Sequence, residues 1–118
     1  MSADSKQTTE EERDPNKAVD YIILNARRFA QAKSQRVYLE EYRKSLKAIL
    51  MKRSLEDTIG AQEREAYAHE EYKQLLEGLR AAVEIEEKLR WDLIAAQARI
   101  EIWRTDSANQ RAEGRATV

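Results

Sequence analysis

The sequence predicts an all-α protein: two long helices joined by a short connection or short helix, folded as an antiparallel hairpin and assembled into a coiled-coil-like oligomer. Three observations carry this. Of the 118 residues, 36% are charged and 42% hydrophobic, with three Gly, one Pro and one Phe, a composition of helix formers rather than of a thick globular core. No helix breaker falls between Pro15 and Gly60. Apolar residues then recur at alternating spacings of three and four in the second half of the chain, the pattern of a coiled-coil seam.

Residues 1–13 are polar, acidic and free of aromatics, and read as a disordered tail. Asp14-Pro15 signals a helix start. Asp14 can cap, and proline suits the first helical position, where its missing N–H costs nothing. The first helix is expected over 15–53. Ser54 to Ala68 reads as a connection, of which residues 61–68 have helical propensity. The second helix is expected over 69–106, with a frayed tail over 107–118. Residues 14–106 then form a single helical domain.

The seam of the second helix comprises Tyr72, Leu75, Leu79, Ala82, Leu89, Leu93, Ala96, Ile100 and Trp103, interrupted only by Glu86. Gly78 costs roughly 1 kcal/mol against Ala, which such a seam outweighs. A second stripe, Trp91, Ile94, Ala98 and Ile102, lies off that seam. One partner helix cannot bury both, so an oligomer interface is expected at Leu89, Trp91, Leu93, Ile94, Ile100, Ile102 and Trp103. On a 100° projection the first helix also shows two faces. One holds Val19, Ile22, Ala26, Phe29 and Ala30; the other holds Tyr38, Leu39, Tyr42, Leu46 and Ile49. A kink at Lys33-Ser34-Gln35, or two halves facing different partners, is expected.

Enzyme chemistry finds little material, and no catalytic residue, metal or cofactor is expected. There is no Cys and a single His, His69, which argues against thiol and histidine-based nucleophilic catalysis. A helix-start or surface role suits His69 better than metal binding. The pairs Glu40-Glu41, Glu70-Glu71 and Glu86-Glu87 are followed three residues later by Lys44, Gln74 and Arg90. They therefore lack the third carboxylate of a helical pyrophosphohydrolase site. No apolar run is long enough for a signal peptide or membrane span. A cytoplasmic location and no membrane or small-molecule partner are expected.

Charge is unevenly placed. Net charge is −1 overall, but +7 over residues 17–53 and −5 over 54–118. Lys33, Arg36, Arg43, Lys44 and Lys47 fall within about 100° of one another on the first helix. Arg28 extends this row, and Tyr38 and Tyr42 stand beside it. A row of cations with aromatic neighbours suits a single-stranded polyphosphate backbone and its unpaired bases. The same row can instead pair with the acidic second helix and specify register. No groove-reading motif is present.

The runs YLEEYRKSLKAILM, AQEREAYAHEEYKQLLEGL and EEKLRWDLIAAQARIEIWRT resemble small helical proteins of tailed bacteriophages and prophages, encoded with replication and recombination genes. Ala66-Tyr67-Ala68-His69 and Ala98 to Arg104 carry most of the resemblance, which covers over half the chain. The layout is also similar to UvsY-type recombination mediators. The resemblance implies a non-enzymatic oligomer that binds single-stranded DNA in the bacterial host. It implies a recombinase or single-strand-binding protein as a further partner. The alternative from the residues themselves is a coiled-coil structural or adaptor protein whose partner is another protein.

Overall fold

The computed structural model describes residues 14–116, of which 93% are helical and none lies in a strand. The described residues form three helices: α1 (Pro15–Arg53), α2 (Ile59–Ala68) and α3 (Glu70–Ala116). The acidic tail expected at 1–13 lies outside the described residues. None of the described helices is long and apolar enough to cross a membrane.

Each helix boundary has a local cause. Asp14 accepts a hydrogen bond from the Asn16 N–H at 2.9 Å, satisfying one of the donors that helix geometry leaves unpaired. Lys52 and Arg53 end α1, favourably placed against the negative end of its dipole. Thr58 caps α2 by accepting from Ala61 N–H at 3.2 Å, so the connection narrows to residues 54–58 and the short helix alternative holds. His69 separates α2 from α3 with extended backbone. Its Nδ1 accepts from the Glu71 N–H at 3.1 Å, and its carbonyl accepts the first intrahelical bond, from Lys73. The lone histidine thus starts a helix.

The second long helix does not fray at Asp106. It continues through residues 107–113, Ser-Ala-Asn-Gln-Arg-Ala-Glu, to Ala116. Asp, Ser and Asn together suggest a terminus, but each costs a helix interior well under 1 kcal/mol. The Ala, Gln, Arg and Glu among them favour helix, and no proline intervenes.

The chain divides into two compact units. One contains residues 29–88. Here Leu46, Leu50, Ala66 and Tyr72 form a buried cluster, with Met51 and Leu75 packed against it. All three helices contribute to this core. Burying each leucine is worth roughly 1.5–3 kcal/mol. The Tyr67 and Tyr72 rings meet edge to face at 5.2 Å, adding about 0.5–1.5 kcal/mol beyond area burial. Ion pairs Arg36–Glu86 and Arg53–Glu71 show that α1 and α3 run antiparallel in this unit.

The other unit joins residues 14–28 of α1 to 89–116 of α3. Its buried positions are Ala18, Asn25 and Ala96, with Ile22, Leu93 and Ile100 half-buried. Small side chains dominate, so helix backbones can approach closely. Asn25 sits among them because its amide donates to the Tyr21 carbonyl at 2.9 Å, and its Oδ1 accepts from Arg28 at 3.5 Å. That satisfies a polar group whose burial would otherwise be costly.

The two-faced reading of α1 is corrected. A single row, Ala18, Ile22, Asn25, Phe29, Ala32, Arg36, Leu39, Arg43, Leu46 and Leu50, is buried or half-buried along the one helix. Its spacings alternate strictly between four and three. A heptad row drifts only about 20° per heptad on a straight 100° projection; the rest of the apparent split into two faces comes from Val19, Ala26, Ala30, Tyr38, Tyr42 and Ile49, which lie off the row. Val19, Tyr38, Tyr42 and Ile49, assigned to those faces, are exposed.

Candidate functional site

The row of cations is broken up by the fold. Arg36 lies on the buried row of α1 and Glu86 on the buried row of α3. Arg36 Nε and Nη2 donate to the two Glu86 carboxylate oxygens at 2.6 and 2.9 Å. Its Nη1 donates to Glu40 at 3.0 Å. The Glu86 bonds are the chief reason the guanidinium is held above its ordinary pKa, with Glu40 adding to them. Glu86, the one break in the apolar seam, is thus the bidentate partner of a seam arginine. The Nε–Nη2 edge of Arg36, the one that would grip a phosphate with two parallel bonds, is thus taken by Glu86.

Lys47 donates to Glu63 of α2 at 2.8 Å, and its ammonium stands 4.7 Å from the Tyr67 ring centroid. The hydrogen bond raises the lysine pKa and lowers that of Glu63. Lys44 reaches Glu41 at 3.3 Å, but both side chains are about two-thirds exposed, at 70% and 67%. Such a pair contributes little and exchanges readily with water. Arg28 holds the Asn25 amide. Lys33 and Arg43 have no ion pair or hydrogen bond among the described residues. Arg43 is half-buried on the seam row, whereas Lys33 is exposed.

Tyr38 and Tyr42 are brought together. Their rings stack with centroids 6.0 Å apart and planes 8° from parallel, and both are exposed. The i,i+4 spacing alone places them so. Arg43, Lys44 and Lys47 line an open depression with Tyr67 and Tyr72, about 460 Å³ in volume. Sequence reading missed Glu63, Tyr67 and Tyr72 as neighbours of these cations. Their placement depends on where α2 docks, which no periodicity in α1 or α3 encodes.

The expected oligomer residues separate into two sets. Leu89, Leu93 and Ile100 are half-buried on the seam row of α3 itself. Trp91, Ile94, Ile102 and Trp103 are exposed, Trp91 at 59% and Ile102 at 61%. At 100° per residue, Trp91 and Ile94 lie about 140° and 160° around the helix from buried Ala96. Trp91, Ile94 and Ile102 therefore face away from the seam, whereas Trp103 is exposed on the seam row itself. Arg90 covers one side of the Trp91 ring, 4.9 Å from its centroid.

Among the described residues no group of His, Cys, Asp or Glu is placed to hold a metal ion. Comparison of the chain with protein-family models, curated proteins and solved structures returned no match.

Proposed function

We propose that this chain is a structural or adaptor protein that works as a self-assembled helical hairpin, its basic and acidic helices paired within each copy. The observation that carries this reading is the exposed stripe of α3 opposite its seam. Within that face, and beside the exposed Ile94, the residues Trp91, Ala95, Ala98 and Ile102 repeat at spacings of four, three and four, and all four are exposed. Large residues flank a small centre. Two such rows laid antiparallel are self-complementary, each Trp91 meeting the other copy's Ile102 across the alanines, as a twofold interface requires. The charges of α1 fit the same reading, since Arg36 and Arg53 pair with α3 and Lys47 with α2. Light scattering tests it. The natural chain is expected as a dimer or larger, and Trp91→Glu/Ile102→Glu as a smaller species with unchanged helix content. A natural chain that is monomeric at high micromolar concentration would refute it.

A second reading is a single-stranded DNA-binding accessory protein of phage recombination or replication. The exposed Tyr38–Tyr42 stack favours it, with Lys33 and Arg43 free of ion pairs nearby in sequence. Aromatic platforms beside cations suit unpaired bases. Fluorescence anisotropy with a labelled oligothymidylate tests it. Binding should weaken with salt, log K falling by about 0.7 per phosphate contacted for each tenfold rise. No binding at micromolar protein and low salt removes this reading.

A further inference from the structure

Arg43 is an anomaly on the buried row of α1. The other arginine of that row, Arg36, is answered by two carboxylates. Arg43 is half-buried too and is answered by none among the described residues. A guanidinium partly withdrawn from water is stabilised by an anion presenting two oxygens to its planar fork.

Its surroundings supply the rest of such a site. Arg43, Lys44 and Lys47 come from adjoining turns of α1 and line one depression, about 460 Å³ in volume. Tyr67 of α2 and Tyr72 of α3 form its wall, fixed to each other edge to face at 5.2 Å. Lys47 is held against that wall by Glu63 and the Tyr67 ring, so it is placed but already neutralised. Lys44 shares only a solvent-exposed pair with Glu41, so turning toward the depression costs it little. The open charge in the depression is therefore that of Arg43, reinforced by Lys44. The fold has left room in front of it.

We infer that this depression is a phosphate-binding site, with Arg43 as the bidentate anchor, Lys44 as a recruitable second cation and the tyrosine pair as its wall. A carboxylate would satisfy Arg43 alone. A phosphate also offers oxygens to Lys44, and the volume admits the nucleoside attached to one. The site does not depend on self-assembly. It supplies the phosphate contact that the DNA-binding reading needs, and to that extent it rests on that reading. The phosphate source is either a free phosphate or mononucleotide, or the backbone of a single strand.

The test measures the thermal midpoint of the full chain, at constant ionic strength, with inorganic phosphate, thymidine monophosphate or an oligothymidylate. Arg43→Gln and Arg43→Lys are run in parallel. A ligand that binds only the folded state raises its midpoint. The natural chain is expected to gain more than Arg43→Gln from at least one of the three ligands, with affinity at least tenfold weaker in the variant. Arg43→Lys should keep part of the gain, because charge remains and the fork is lost. A response to phosphate and monophosphate but not to the oligonucleotide assigns the site to a free phosphate and removes the DNA reading. Arg43-dependent oligonucleotide binding that phosphate competes away supports both. Oligonucleotide binding indifferent to Arg43 overturns this site and leaves the DNA reading standing. Equal midpoint shifts in natural chain and Arg43→Gln with every ligand overturn the site as well. Removing an unanswered charge from a seam row does not threaten folding, and circular dichroism of each variant confirms its helix content.

Discussion

Arg36 and Glu86 meet between the seam rows of α1 and α3. Each interrupts an apolar row, and each is explained by the other. Taking two charges partly out of water is expensive, and their mutual attraction offsets this only when the geometry is good. Here it is bidentate. Arg36→Leu or Glu86→Leu alone removes the bidentate pair while keeping one part-buried charge on the seam. Each single change should lower the urea midpoint more than the Arg36→Leu/Glu86→Leu double change, which replaces both with packing groups. Chemical denaturation followed by circular dichroism decides this. A double variant no more stable than the worse single variant would show that the pair is not coupled. The pair also fixes register, because a slip of one heptad sets Arg36 against Leu79 or Leu93 of the α3 row. Specifying one alignment is the best-attested use of a polar group in a coiled-coil seam.

At the scale of elements, the two long helices rest on propensity and packing in different proportions. The described part of α3 beyond Ile100 is exposed apart from Ser107, so propensity carries more of the load there. Gly78 is a weak point within the same helix. A Cβ added to it meets nothing within 4 Å, so Gly78→Ala should stabilise the chain by roughly 0.5–1 kcal/mol. A thermal midpoint that stays the same or falls would mean that glycine serves a contact between chains. The seam of α3 is legible because its apolar positions keep strict three-four spacing. The seam of α1 is not, because Asn25, Arg36 and Arg43 interrupt its apolar pattern. The same heptad count that worked for α3 recovers the α1 row. What no count recovers is α2. Its ten residues carry one buried side chain, Ala66, and its docking alone gathers Glu63 and Tyr67 around the cations of α1.

For the molecule as a whole, basic α1 and acidic α3 neutralise each other in part, and what is left over is chemically specific. An apolar stripe on α3 looks outward, and a half-buried arginine faces an open depression. If the stripe joins copies, the thermal midpoint of the natural chain rises with protein concentration and that of Trp91→Glu/Ile102→Glu does not. The three-helix core also bears on the order in which the chain finds its fold. Ser54–Glu65, Lys47–Glu63 and Arg53–Glu71 close over 11, 16 and 18 residues, whereas Arg36–Glu86 closes over 50. The entropy lost in closing a loop grows with its length. The contacts around α2 are thus the least costly to form from an unfolded chain. With that corner in place, each further step along α1 and α3 needs only a short closure. Folding is therefore expected to begin at the corner around α2, the helix with a single buried side chain, before the long helices pair at Arg36–Glu86.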